Sequence, residues 1–258
     1  MILDACVSSS LTYGCESWGT SSIKSIEIAY RLGLKRALSI RENCNTEIVY
    51  VESGRTPLSI RISKQQLKFW INLQAYLDHE PNHPLNNLIE QGLELNIPFL
   101  NHYIKLKNDY GTPETCETVL KQRFNNDTAD RIRTKANGDD ISRLGTYLIV
   151  NPQLKKPVQL INSKILEFER ILITRYRTGC HNLRIESGRH CNPPLPREER
   201  LCLCNEGVQT LHHCLFDCPL LIEAQRTFNY STVEEALNLA DAAKLLLQIE
   251  KTLQIRSH

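Results

Sequence analysis

Six of the ten cysteines, Cys180, Cys191, Cys202, Cys204, Cys214 and Cys218, share one short stretch with His181, His190, His212 and His213. Thiols and imidazoles at this density are either metal ligands or, singly, nucleophiles. Cys202, Cys204, His213 and Cys218 form a C-x-C-x8-H-x4-C pattern. That supplies three sulfurs and one nitrogen, a donor set suited to tetrahedral zinc, with Asn205-Glu206-Gly207 as the turn after the first pair. Zinc sites generally leave two to four residues between their first two cysteines, whereas this chain leaves one. His212, Cys214 and Cys191 therefore stay open as replacement ligands, and His213 and Cys218 need a backbone turn between them. A packed core of reduced thiols and thiol redox chemistry are the two other readings of the same residues.

Other chemistry finds less support. Gly138-Asp139-Asp140 has the form of a polymerase metal-binding triplet, but two-metal chemistry needs carboxylates held on a hairpin of apolar strands. The flanks RTKAN and ISR are polar, so a helix-capping loop fits better. There is no G-x-S-x-G elbow, no Walker A motif and no G-x-G-x-x-G turn. Cys180–His181 and Cys191–His190 contain the residue types of a thiol nucleophile and its base, but sequence neighbours ordinarily point in different directions.

These residues sit in a chain of 258 residues, 41% hydrophobic and 23% charged, with a formal net charge of +2. That is enough apolar material for one large domain or two small ones. No apolar run approaches the roughly 18 residues of a membrane span, and the start MILDACVSSSLTYG has no basic region ahead of an apolar stretch. The expectation is a protein of the nucleus or cytoplasm, neither secreted nor membrane-bound, in which cysteines stay reduced or bind metal. The sequons at Asn126 and Asn229 then carry no glycan. Charge is uneven: segments 1–75 and 160–200 are each +3, 76–159 is −1 and 201–258 is −3. Stretches of +3 permit a nucleic-acid partner without establishing one.

Helical spacing of apolar residues predicts helices over 22–40, capped by Ser21 or Ser22, and over 57–78, with Pro57 at the first helical position. On the latter, Arg61, Lys64 and Lys68 line one face, a row fitted either to solvent or to phosphate. Short helices are expected near 84–94 and 114–124, a well-patterned one over 158–177, and two more over 219–228 and 233–255, the last with a Ser231/Thr232 cap and Glu235 placed for a capping box. The fold expected is mainly α, with a domain boundary at 150–157. Arg175, Arg177, Arg184 and Arg189 surround Tyr176, which either stacks on an unpaired base or closes the apolar stripe of its helix.

Several blocks, in order, resemble the C-terminal region of non-LTR (LINE-type) retrotransposon reverse transcriptases. Leu11-Thr-Tyr13-Gly14-Cys-Glu16-Ser-Trp18-Gly19 is similar to the LxYGxExW segment that follows the palm. Leu34-Lys-Arg-Ala-Leu38 and Glu52-Ser-Gly54-Arg55-Thr-Pro57-Leu58-Ser-Ile60-Arg61 resemble the thumb helices. Leu183-Arg184-Ile185-Glu186-Ser-Gly188-Arg189, Pro196-Arg197-Glu198-Glu199-Arg200-Leu-Cys202 and Cys218-Pro219-Leu220 frame the metal pattern as in the family's CCHC segment.

The likeness covers roughly 1–75 and 158–258. It implies a thumb-like helical bundle (1–78), a helical connector (79–157) and a basic helix with a zinc-knuckle module and C-terminal helices (158–258). It implies zinc at Cys202, Cys204, His213 and Cys218. It also implies RNA or DNA held mostly by its backbone, with Arg61, Lys64, Lys68, Arg175, Arg177, Arg184 and Arg189 as contacts. Tyr13, Trp18 and Trp70 are expected as packing anchors. The family's fingers and palm, with their catalytic Asp pair, and its nucleases have no counterpart in these residues, so no polymerase or endonuclease activity is expected; in a longer parent chain the palm would be a partner. The alternative is a zinc-stabilised helical module that binds proteins through the 57–78 and 233–255 helices. A cysteine-dependent hydrolase would require one thiol of depressed pKa.

Overall fold

The computed structural model describes residues 3–18, 23–136, 143–157 and 164–255. Among these the chain is helical and contains no β-strand, only an isolated antiparallel bridge between Leu201 and Val208. The main helices are α1 (Ile23–Ala37), α2 (Thr46–Ser53), α3 (Leu58–His79), α4 (Pro84–Glu94), α5 (Pro98–Tyr110), α6 (Pro113–Ala136), α7 (Arg143–Val150), α8 (Glu167–Arg177), α9 (Ile222–Thr227), α10 (Val233–Asn238) and α11 (Ala242–Thr252). No described helix is long and apolar enough to cross a membrane.

The chain forms two compact units, one of Met1–Leu34 with Thr56–Ala129, the other of Lys35–Arg55 with Asp130–His258. The stretch 150–157, read as a boundary from its prolines, lies inside the second unit.

In the first unit, α3 is the central element. Its N-terminus has no side-chain cap of its own, because Pro57 occupies the N-cap rather than the first helical position. Glu27 of α1 accepts the Ser59 amide instead, at 2.7 Å, and puts a carboxylate on the positive end of the helix. Trp70, 2% exposed, stacks on Tyr103 of α5 at 5.5 Å with Leu100 beside them. One turn earlier Leu67 meets Leu106 and Cys116. Trp70 thus anchors the core as expected. Tyr13 does not: it is 86% exposed, with its carbonyl accepting the half-buried Trp18 indole at 2.9 Å and its amide donating to the Ser10 carbonyl.

The second unit is built on α8 and α11. Ile173 and Tyr176 of α8 pack on Leu245, Leu246 and Ile249 of α11, together with Leu183, Leu215 and Leu221 from the cysteine-rich stretch. Tyr176 is 1% exposed and points its hydroxyl at Glu250, so it is a core residue and cannot stack on a base. Helix α8 starts later than periodicity predicts, at Glu167, where Glu169 accepts the Leu166 amide. Positions 158–163 lie outside the described residues, as do Ser21, Ser22, Gly19, Asp139 and Asp140.

The expected 233–255 helix is two helices, interrupted at 239–241. The first has its predicted cap: Thr232 Oγ1 accepts the Glu235 amide, and the Glu235 carboxylate reaches back to the Ser231 amide and hydroxyl. The second is buried along Ala242, Ala243, Leu245, Leu246 and Ile249. Its apolar face is therefore occupied inside its own unit, as that of α3 is by Leu67 and Trp70. On the same two helices Phe69, Tyr76 and Leu247 stay exposed.

Candidate metal centre

The chain enters the centre through the Leu201–Val208 bridge, closed by hydrogen bonds from the Cys202 amide to the Gly207 carbonyl and from the Gln209 amide to the Arg200 carbonyl, each 2.8 Å. Between them it reverses in a tight loop. The Asn205 amide donates to the Cys202 carbonyl at 3.0 Å, and Asn205 has φ +62°, a left-handed conformation that asparagine tolerates better than most residues. This reversal directly after Cys204 lets a spacing of one residue serve where two or more are usual. The Glu206 amide points at Cys204 Sγ, 3.5 Å away, and so helps fix the sulfur's position.

The other two ligand candidates come from the following turn. Thr210 caps it, its hydroxyl accepting the His213 amide at 3.0 Å. The backbone then runs as a π-turn over His213–Asp217, closed by the Cys218 amide donating to the His213 carbonyl at 2.8 Å. An α-helix aligns residues three and four apart, so the five-residue interval from His213 to Cys218 would splay them. The π-turn, with one more residue per turn, brings them to the same side. Gly207 completes the seat, since a Cβ there would lie 3.2 Å from His213 Nδ1 and push the ring.

As a result, donor atoms of Cys202, Cys204, His213 and Cys218 all lie within 4.8 Å of one another. Cys204 Sγ is 3.2 Å from His213 Nε2, and Cys202 Sγ is 3.7 Å from Cys218 Sγ. A tetrahedron with metal–sulfur distances of about 2.3 Å has S···S edges of about 3.8 Å. The four could hold a metal ion. Cys202, Cys218 and His213 are buried and Cys204 is half-buried. Burial holds the Cys218 thiol up at about 12, with the neighbouring Cys202 adding to it. Such a cluster gains most when a cation replaces its protons.

The reserve ligands are used otherwise. His212 is exposed and faces Asp217 at 3.2 Å. Cys191 is exposed with its sulfur toward the Ser187 carbonyl. Cys214 is buried in the core beside the cluster, and burial raises its pKa.

The thiol–imidazole pairs do not form. His181 Nδ1 accepts the Leu183 amide, and the ring is held neutral, its pKa pushed down to about 3 by burial and by Arg41, Arg143 and Arg189. The Cys180 sulfur is hydrogen-bonded with Cys44 instead. That bond, more than any other influence, lowers Cys180 to about 6 and raises Cys44. Nothing in the sequence pointed to Cys44, which lies far from Cys180 along the chain. Cys180 is the depressed thiol a hydrolase would need, but it is 4% exposed and its neighbouring imidazole is turned to the backbone.

The seven cations read as phosphate contacts divide sharply. Lys68 is exposed, Arg61 and Lys64 are half-buried, and Lys64 is bound to Glu117 at 2.5 Å. Arg184 is exposed and donates to the Leu201 carbonyl at the entrance to the loop. Arg175 Nε donates to the Ser39 carbonyl, and Arg189 lies 3.7 Å from Glu186. Arg177 is a correction. It is 2% exposed and its guanidinium grips Glu52 at 3.0–3.3 Å, where no phosphate can reach it.

Comparison of the chain with protein-family models, with curated proteins and with solved structures finds no match.

Proposed function

We propose that Cys202, Cys204, His213 and Cys218 bind one zinc ion, and that the module so closed holds RNA or DNA through backbone phosphates. This is the role of the C-terminal region of a non-LTR retrotransposon reverse transcriptase, contributing no polymerase or nuclease chemistry of its own. The observation that carries the reading is the convergence of three sulfurs and one imidazole nitrogen from two turns of chain. Thiolate-rich tetrahedral sets favour zinc over hard cations, and four protein ligands leave no coordination position for substrate. The ion is therefore structural. Phosphate contact falls to Lys68, Arg61 and Arg184, with Lys64 weakened by Glu117.

Native mass spectrometry of the purified chain tests the metal, repeated on Cys202→Ser and Cys218→Ser. One zinc per chain is expected, lost in both variants. Retention on single-stranded RNA followed across a salt series tests the partner, since phosphate contacts make affinity fall steeply with salt. Absence of zinc from the native chain, or RNA binding indifferent to salt, overturns the corresponding half of the proposal.

A further inference from the structure

Next to the knuckle, within the second unit, lies a cavity of about 180 Å³ whose polar lining includes Arg143, Arg189, Arg197, Glu186 and Thr210. Arginines predominate among its charged groups. Glu186 is 5% exposed and meets both Arg143, at 3.1 Å, and Arg189, at 3.7 Å, so one carboxylate faces two guanidinium groups. Arg197 is half-buried, and among the described residues its side chain makes no hydrogen bond or ion pair. Three arginines and one carboxylate thus line the site, and Arg197 brings to it a guanidinium without a fixed side-chain partner. His181, also on the wall, is kept neutral by burial and by the neighbouring arginines, and His212 is turned to Asp217.

Size narrows the ligand. Pockets for whole drug-sized molecules run to roughly 300–1,000 Å³, and this one is smaller. The lining also includes Val150, Ile185, Leu211 and Val233, which are apolar and offer nothing to a second charged group. Arginine forks match the oxygens of a phosphate, and in apolar surroundings such contacts are stronger than in water. Thr210 contributes a hydroxyl whose oxygen already accepts the His213 amide, leaving its proton to donate.

We propose that the Arg143–Arg189–Arg197 cavity binds a single phosphate group, either the terminal phosphate of a nucleic acid or a small free phosphate. The site goes beyond the backbone contacts suggested above and stands without them.

Isothermal titration of the zinc-loaded full chain with inorganic phosphate, at fixed ionic strength and against chloride, tests it. Saturable one-to-one binding is expected, weakened at least tenfold in Arg197→Ala and in Arg197→Gln. It should be unchanged in Arg226→Ala, which alters an exposed arginine of α9 outside the cavity. Native mass spectra confirm that each variant keeps its metal. Binding that does not saturate, or that survives both Arg197 variants, overturns the proposal whatever RNA does.

Two RNA oligomers identical but for a 5′-phosphate or a 5′-hydroxyl then separate the sources. Tenfold tighter binding of the phosphorylated oligomer, abolished by inorganic phosphate and by Arg197→Ala, assigns a nucleic-acid end. Equal binding of the two, with phosphate still saturable, assigns a small free phosphate. Failure of both oligomers to bind, with phosphate still saturable, counts against the nucleic-acid reading alone.

Discussion

Along α3, Lys68 stands in solvent, Arg61 is half-covered, and of the three cations in that row Lys64 is tied to a carboxylate, Glu117. Between residues 175 and 189 the arginines behave differently. Arg177 is sealed against Glu52, Arg175 donates to a carbonyl, Arg189 shares Glu186 with Arg143, and Arg184 alone is exposed. The two regions carry similar charge in the sequence. Depth is what separates them. A cation at the surface keeps its hydration and can exchange it for a phosphate, whereas a buried one must be matched by fixed partners and becomes part of the core. The α3 row is thus suited to contact, while in the second region Arg177 serves architecture and the exposed Arg184 stays available.

The largest effect that sharpens this contrast is expected at Arg177. Removing one partner of a buried pair leaves the other charge unmatched, at a cost of about 3–5 kcal/mol. Arg177→Met should therefore destabilise the chain by that order in urea unfolding while leaving RNA affinity of the folded fraction unchanged. The pH dependence has a definite sign. Burial raises the Glu52 pKa even with Arg177 and Tyr147 opposing it. Without Arg177 the carboxyl takes up a proton more readily on folding, so the penalty is greatest at neutral pH and shrinks as pH falls toward the unfolded value. A variant whose RNA affinity drops while its stability holds would erase the contrast, because Arg177 would then be a contact after all.

His181 gives the next effect. Its folded pKa of about 3 lies well below the ordinary imidazole value of about 6.5. The unfolded chain therefore binds a proton first as pH falls, and stability present above about pH 6.5 is lost progressively below it. Between pH 7 and pH 5 the loss is about 2 kcal/mol, at about 1.4 kcal/mol per pH unit below 6.5. Asparagine at 181 can still accept the Leu183 amide two residues on, as His181 Nδ1 does. His181→Asn should lose about 2 kcal/mol less over that interval. Since metal release at acid pH is common to both chains, equal slopes would show that His181 does not sense the arginines around it.

The four residues that could hold a metal were legible because such chemistry depends on type and spacing, and spacing survives in one dimension. What spacing could not convey was the backbone that makes it work. The Asn205-Glu206-Gly207 turn was legible, but not that a left-handed Asn205 reconciles C-x-C with a closed cluster, and the π-turn that reconciles H-x4-C leaves no residue pattern. Strongly amphipathic helices were read well: α1, α3 and α4 lie within a few residues of their expected bounds. Helix α2 was missed because TEIVYVES is an apolar run without helical alternation. Helix α5 has no expected counterpart, and Pro98 is its first residue, where a missing amide hydrogen is tolerated. Helix α6 extends to Ala136 through a polar second half, NNDTADRIRTK, that offers no stripe to detect. The partners Glu52 and Cys44 were hidden for a different reason. They lie far along the chain from Arg177 and Cys180, and no local rule links residues so distant.

The smallest effects lie within the α3 row itself. Each phosphate contact releases about one counterion, so removing a lysine that makes one should reduce the slope of log affinity against log salt by about 1 and weaken binding equally across sequences. Lys68 is exposed and has no ion pair among the described residues, so Lys68→Ala should show this change in full. Lys64 donates to Glu117, which also holds Lys121 at 2.5 Å and is itself kept below the usual carboxylate range by the two lysines. To meet a phosphate Lys64 must leave that carboxylate, so Lys64→Ala should change the slope less than Lys68→Ala. Glu117→Gln frees Lys64 and removes a repelling charge, and should raise RNA affinity at low salt and steepen the slope. Fluorescence anisotropy with a labelled single-stranded RNA from 50 to roughly 300 mM salt resolves changes of this size. If Lys64→Ala and Lys68→Ala prove indistinguishable, Glu117 does not restrain the row. If neither changes the slope, the row is a solvated face, and the contrast between the two regions reduces to one between exposed and buried charge with no ligand in either.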